Sequence, residues 1–330
     1  MGINCLREPM KDRYEKKIAG VDRKIAEALD ALIFSETSSA LYEAAKHAVQ
    51  GGKRMRPLIC LLSCDGVGGD SEKILPSAAG LELIHAFTLI HDDVMDGDEL
   101  RRGKPSLKNL LGDGLAILAG DALFALGYKY ILSNSSVEGI GTDRVGRAMD
   151  MCTDACLKLA QGQVMDISLP IDNDWKDDII KLKTAPLFSL ASAMGAILGG
   201  GSASEIDHME RYGQYVGMAF QIKDDVLNLS GNEEIVGKPK GGDVRNGKLT
   251  LPIAHALKGV GRDEMGEILS SPRRESEIMR MMDERDSIDY SEKIALKLVE
   301  EAKRNLGVIG KREETSALEF IADYTVKRRE

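Results

Sequence analysis

Pro76-Ser77-Ala78-Ala79-Gly80-Leu81-Glu82-Leu83-Ile84-His85-Ala86-Phe87-Thr88-Leu89-Ile90-His91-Asp92-Asp93-Val94-Met95-Asp96 joins a proline start, an apolar body and three aspartates at its end. Leu81, Ile84 and Thr88 recur at three and four positions, the period of a helix and not of a strand. The same spacing returns at Leu115, Leu118, Ala122 and Leu126, and alternating strand-like runs are hard to find. The chain therefore reads as all-α.

Breaks fall at Gly51-Gly52, Gly66–Asp70, Gly97–Pro105, Asn134–Gly141, Leu169–Asp174, Gly199–Gly201 and Gly231–Gly247. Helices of roughly 15 to 25 residues are expected between them. No Ser/Pro-rich linker separates them, so residues 1–330 read as one domain, a single large helix bundle.

With 43% hydrophobic and 29% charged residues in a chain of 330, there is ample material for a core. The formal net charge of −9, with Lys and Arg scattered, speaks against nucleic-acid binding. The charged, Pro-containing start from Met1 to Lys11 does not read as a secretory signal. Leu187–Leu198, about 12 residues, falls short of the roughly 20 that a membrane span needs, so no span is expected. Of five cysteines, Cys60 and Cys64, and Cys152 and Cys156, form pairs at helical spacing. They read as buried, reduced thiols of a cytoplasmic protein and not as zinc ligands.

Two acidic clusters carry the chemistry. Residues four apart share a helix face, so Asp92 and Asp96 stack one turn apart, with Asp93 turned away from them. Phe220-Gln221-Ile222-Lys223-Asp224-Asp225-Val226-Leu227-Asn228 repeats the arrangement with Asp224 and Asn228. A lone Asp-Asp pair is usually a solvated polar face. Carboxylates beside an apolar face repel by up to about 4 kcal/mol per close pair at an effective dielectric near 20, and a divalent cation relieves this. Magnesium suits such a site, bridging one or two carboxylates to substrate phosphates. Basic loops to meet phosphates are present: Arg101-Arg102-Gly103-Lys104-Pro105, Gly51-Gly52-Lys53-Arg54-Met55-Arg56-Pro57, Gly237-Lys238 and Gly247-Lys248.

In this order the motifs resemble the trans-isoprenyl diphosphate synthases, the farnesyl and geranylgeranyl diphosphate synthase family, over roughly residues 40 to 255, and Ala317–Arg329 looks like that family's C-terminal helix. The resemblance implies a single antiparallel helix bundle around a deep central cavity, usually a homodimer, with the acidic motifs facing each other across its mouth. It implies that Asp92, Asp93, Asp96, Asp224 and Asp225 hold several magnesium ions, which manganese could replace, with Asp166 in support. Arg101, Lys183, Thr184, Gln221, Lys238 and Lys248 would contact the allylic diphosphate. Lys53, Arg56, His85 and Arg102 would hold isopentenyl diphosphate. His85 lies two helical turns before Asp92 on the same face, which fits a neighbouring anion site, although by itself a histidine on an apolar helix reads as core. Asn228 departs from the family's third aspartate.

Such a site needs no protein nucleophile. Metals and basic groups stabilise charge as the allylic carbon–oxygen bond breaks, and an apolar cavity keeps water from the cation. The departing diphosphate is the base expected to take the final proton. In the family the position five residues before the first motif gauges product length; here that is Phe87, with Thr88 beside it. An aromatic there with a small neighbour resembles the archaeal-type enzymes and implies a twenty-carbon, geranylgeranyl product, with farnesyl or longer products as alternatives. A terpene cyclase would lack the isopentenyl set, and a non-catalytic subunit would have lost an acidic motif.

Overall fold

The computed structural model describes residues 8–33, 39–101, 103–168, 182, 184–230, 242–245, 248–271, 273–310 and 312–328. Their elements are the helices α1 (Glu8–Asp30), α2 (Ser39–Val49), α3 (Met55–Gly66), α4 (Leu75–Asp96), α5 (Leu107–Leu111), α6 (Asp113–Ser133), α7 (Thr142–Ser168), α8 (Ala185–Gly199), α9 (Ala203–Ser230), α10 (Gly242–Arg245), α11 (Leu251–Ala256), α12 (Arg262–Ser270), α13 (Arg274–Glu284), α14 (Ser287–Leu306) and α15 (Glu313–Lys327). The all-α expectation holds. One short antiparallel hairpin, Leu100–Arg101 with Lys104–Pro105, interrupts it. Gly103 turns it at φ +73°, and four residues are too few to leave a period in the sequence. The expected breaks at Gly51-Gly52, Gly66–Asp70, Gly97–Pro105, Asn134–Gly141 and Gly199–Gly201 fall at the ends of α-helices or between them; Leu169–Asp174 and most of Gly231–Gly247 lie outside the described residues, and α10 falls within the latter stretch. Helices α7 and α9 run to 27 and 28 residues, longer than predicted.

The chain divides into two compact units. The first comprises Met1–Thr153, Leu190–Met209 and Ile309–Leu318; the second comprises Asp154–Ser189, Glu210–Val308 and Glu319–Glu330.

In the first unit, α4 begins with Pro76 in its opening turn, where a missing N–H costs nothing, and stops at Gly97. That glycine lies at φ +72°, and Asp98 N–H closes the end on the Asp93 carbonyl at 3.0 Å. Leu81, Leu83 and Ile84 are fully buried, and α4 packs most extensively on α6. Glycine permits that approach: a β-carbon at Gly80 would lie 2.6 Å from the Gly127 carbonyl oxygen. The start of α4 is fixed by buried Asn134, which accepts from Ser77 N–H and hydroxyl and donates to the Lys73 carbonyl.

Ser71–Asp96 and Asp113–Ser136 are long and apolar enough to cross a membrane by length and composition, which the reading of Leu187–Leu198 alone passes over. Much of the first stretch is buried within the protein, as core helices are. Helix α6 keeps Leu110 and Leu111 at its approach, and Ile117, Leu118 and Leu132 along it, exposed. Cys60, Cys64 and Cys152 are buried and Cys156 partly so, in line with the core expectation. Burial pushes the Cys64 thiol up to about 12.

The second unit has a core of Leu229, Val244, Ile253, Ala256, Leu257, Met265, Ile278 and Met282. Beside it the His255 ring stacks on Tyr290 and shares a 3.0 Å hydrogen bond with the Ser287 hydroxyl.

Candidate active site

Helix α4 carries one acidic motif on its last turn. Asp92 and Asp96 are half-buried, whereas Asp93 is 4% exposed and turned inward. The 100° step between successive helix residues separates them. The Asp93 carboxylate accepts from Arg101 Nε at 2.8 Å and from Arg101 Nη2, and Arg101 also lies 3.7 Å from Asp98. Burial works against the Arg101 charge, but the hydrogen bond to Asp93 and the charges of Asp93, Asp98 and Asp92 outweigh it and raise its pKa. The hairpin thus places one arginine of the Arg101-Arg102 pair on the motif; Arg102 lies outside the described residues.

Two turns back on the same helix, His85 Nε2 accepts from Arg56 Nη1 at 3.0 Å. A guanidinium can only donate, so this hydrogen bond puts the ring proton on Nδ1. Lys53 is exposed beside it in sequence. Between them Arg54 is buried and ion-paired with Glu82, also on α4, at 2.8 Å. The Phe87 ring packs edge-on to His91 at 4.6 Å between centroids and against Phe124 of α6 at 4.8 Å, with Tyr128 next beyond Phe124. The Thr88 hydroxyl donates to the His85 carbonyl at 2.8 Å.

Helix α9, in its stretch from Glu210 onward that belongs to the second unit, carries the other motif. Asp225 is buried and accepts from Gln221 Nε2 at 2.8 Å, while Gln221 Oε1 accepts from the Thr184 hydroxyl. Asp224 is 44% exposed in its side chain and pairs with Arg328 Nη2 at 2.6 Å. Arg328 also donates to the Phe220 carbonyl at 2.9 Å and lies 3.8 Å over the Phe220 ring. Lys248 lies 3.6 Å from Asp166. Each motif therefore has a more accessible first aspartate and a buried, hydrogen-bonded second one. Lys183 and Lys238 lie outside the described residues.

Glu82 and Arg328 escaped the sequence reading, and Arg54, read there as part of a basic phosphate loop, is instead buried and paired with Glu82. The basic run at the chain's end marked Arg328 as charged, but nothing local tied it to a helix 108 positions away.

Among the described residues no group of three His, Cys, Asp or Glu side chains stands ready to hold a metal. The donors nevertheless fit magnesium, which takes one or two carboxylates and completes its shell with phosphate oxygens and water. Asp92 and Asp96, one turn apart and half-buried, are such hard oxygen donors.

A model of the polyprenyl synthetase family matches residues 38–284. The chain is 37% identical over 317 residues to a short chain isoprenyl diphosphate synthase of Methanothermobacter thermautotrophicus, covering 93% of this chain and 95% of that one. It is 36% identical to a geranylgeranyl diphosphate synthase of Methanosarcina mazei, with 91% and 94% covered. It is also 36% identical to a geranylfarnesyl diphosphate synthase of Aeropyrum pernix, with 89% and 96% covered. Among solved structures, geranylgeranyl pyrophosphate synthetase of Pyrococcus horikoshii superposes with a TM-score of 0.84 at 33% identity, covering 96% of this chain and 99% of that one. The chain belongs to the polyprenyl synthetase family and is a prenyltransferase of the isoprenyl diphosphate synthase type.

Proposed function

We propose that this enzyme joins isopentenyl diphosphate to allylic diphosphates (dimethylallyl, geranyl and farnesyl) and releases geranylgeranyl diphosphate. The observation that carries the reading is the layout of α4. One rigid helix presents Asp92 and Asp96 at its end and His85, bonded to Arg56, two turns earlier on the same face. The carboxylates that would hold a metal and the cations that would hold a second diphosphate are thereby set on one ruler.

In this reading Asp92, Asp93, Asp96, Asp224 and Asp225 would hold magnesium, and Asp93 and Asp225 also keep Arg101 and Gln221 in place. The family is magnesium-dependent in general; the ion supplies positive charge to the allylic diphosphate as it leaves. Arg101, Lys183, Thr184, Gln221, Lys238 and Lys248 serve that diphosphate, with Asp166 steadying Lys248. Lys53, Arg56, His85 and Arg102 hold isopentenyl diphosphate, whose double bond attacks the allylic carbon as its carbon–oxygen bond breaks. A proton then passes from the isopentenyl part to the departing diphosphate, which balances the step.

Phe87, wedged between His91 and Phe124, is the fixed wall that limits product length. Relatives bear both geranylgeranyl and geranylfarnesyl names, and the aromatic with Thr88 beside it favours the twenty-carbon product. We read residues 1–330 as one domain, because four of the five unit boundaries fall inside the continuous helices α7, α8, α9 and α15, and only the one after Val308 falls between helices. The exposed apolar side chains of α6 favour a homodimer, and the buried cysteines Cys60 and Cys64 suit the cytoplasm.

The test is incubation of isopentenyl diphosphate with each allylic starter, with and without magnesium, followed by sizing of the products. A magnesium-dependent twenty-carbon diphosphate is expected. Absence of any elongated product with every starter refutes the reaction, and a dominant product of another length refutes the product assignment.

A further inference from the structure

Arg54 is the residue in the Gly51–Pro57 turn that the reaction leaves without a role. Its backbone sits in the left-handed region at φ +47°, ψ +33°, at the start of α3. A residue with a β-carbon adopts that conformation only where its surroundings compel it. Its side chain is the anchor: Nη1 donates to Glu82 at 2.8 Å, Nε to Asp22 at 2.8 Å and Nη2 to the Val49 carbonyl at 2.7 Å. Arg54 and Glu82 are both buried, and Asp22 is half exposed. A buried ion pair seldom adds net stability over an apolar pair of the same volume, and its best-attested use is to fix register.

The register fixed here is specific. Glu82 lies three residues before His85 on α4, and Arg54 lies between Lys53 and Arg56. The Arg54–Glu82 and Arg56–His85 contacts are therefore neighbouring bolts between the turn and the helix that ends in Asp92 and Asp96. We propose that Arg54 and Glu82 are positioning residues that lock the Lys53–Arg56 turn onto α4 and so set where the diphosphate of isopentenyl diphosphate is held. The proposal rests on the reading of Lys53, Arg56 and His85 as that substrate's site.

The test is steady-state kinetics on the full-length enzyme, with KM measured separately for isopentenyl diphosphate and for the allylic diphosphate. Arg54→Gly accepts the left-handed conformation without strain, so the turn keeps its path while the anchor is lost. Glu82→Gln keeps the shape and removes the charge. Each is expected to raise KM for isopentenyl diphosphate about ten- to a hundredfold, the scale of a displacement near 1 Å at a reacting site, and to leave KM for the allylic diphosphate within about twofold. The double variant should be no worse than the poorer single one, because both remove the same contact. Arg54→Lys, which restores a cation, should recover part of the loss. A general folding defect would instead lower the active fraction, and with it kcat, at unchanged KM. If both variants leave KM for isopentenyl diphosphate unchanged while Lys53→Ala raises it, the positioning role is overturned and the site reading stands. If Lys53→Ala leaves it unchanged too, the site reading falls and takes this inference with it.

Discussion

Replacing Arg328 by Met removes a buried guanidinium while keeping an unbranched side chain of similar reach. Its hydrogen bond to the Phe220 carbonyl, a charge-assisted bond, is worth about 1.5–3 kcal/mol. Its placement 3.8 Å over the Phe220 ring adds about 1 kcal/mol. The pair with Asp224 adds at most about 1 kcal/mol, because that carboxylate is 44% exposed and water screens it. Methionine returns some apolar contact, so the net loss is about 3 kcal/mol. At roughly 2.1 cal/mol/K per residue, the 330 residues have an unfolding entropy near 0.7 kcal/mol/K, so the melting temperature should fall by about 4 °C. Arg328→Lys keeps the charge without the planar fork and should lose about half as much. Calorimetry at fixed pH and salt measures both. A Met variant that melts within 1 °C of the parent refutes the placement of Arg328 on α9, and equal losses in the two variants refute the share given to the guanidinium plane.

Phe87→Ala should lengthen the products, read by chromatography of the dephosphorylated alcohols, and an unchanged distribution dismisses the gauge. Gly120→Ala should shorten them, since a β-carbon there collides with His91, whose ring packs against Phe87; products of parental length would show that the α6 side does not support that ring. Cys60 and Cys64 should resist a thiol reagent at pH 8 in the native protein and react after unfolding, because burial raises both thiols far above that pH; rapid native labelling contradicts their burial. Glu205 accepts from the Ser202 backbone N–H and hydroxyl in a capping box at the start of α9, and these hydrogen bonds lower its pKa from the usual glutamate value. A lowered carboxylate pKa gives stability that is present above the unfolded value and lost as pH falls through the folded one. The destabilisation by Glu205→Gln should therefore be seen at pH 7 and fade below about pH 4; a constant difference across that range speaks against the cap.

Much of this molecule is local, and local features are legible in a sequence. The 3.6-residue period of Leu81, Ile84 and Thr88, the proline at the start of α4 and the glycine at its end determined that helix before any coordinates, and helical geometry already separated Asp93 from Asp92 and Asp96. The reaction class was legible in a different way, through the resemblance of the ordered acidic and basic motifs to those of the trans-isoprenyl diphosphate synthases. What only the tertiary structure decided is where long-range charges find their partners: Arg54 on Glu82 across 28 positions, Arg101 folded back onto Asp93 by a hairpin too short to have a period, and Arg328 on Asp224 and Phe220. An arginine carries no mark in the sequence of whether it will be solvated or buried. That depends on which carboxylates the packing of distant helices brings within reach, and on the water that packing removes.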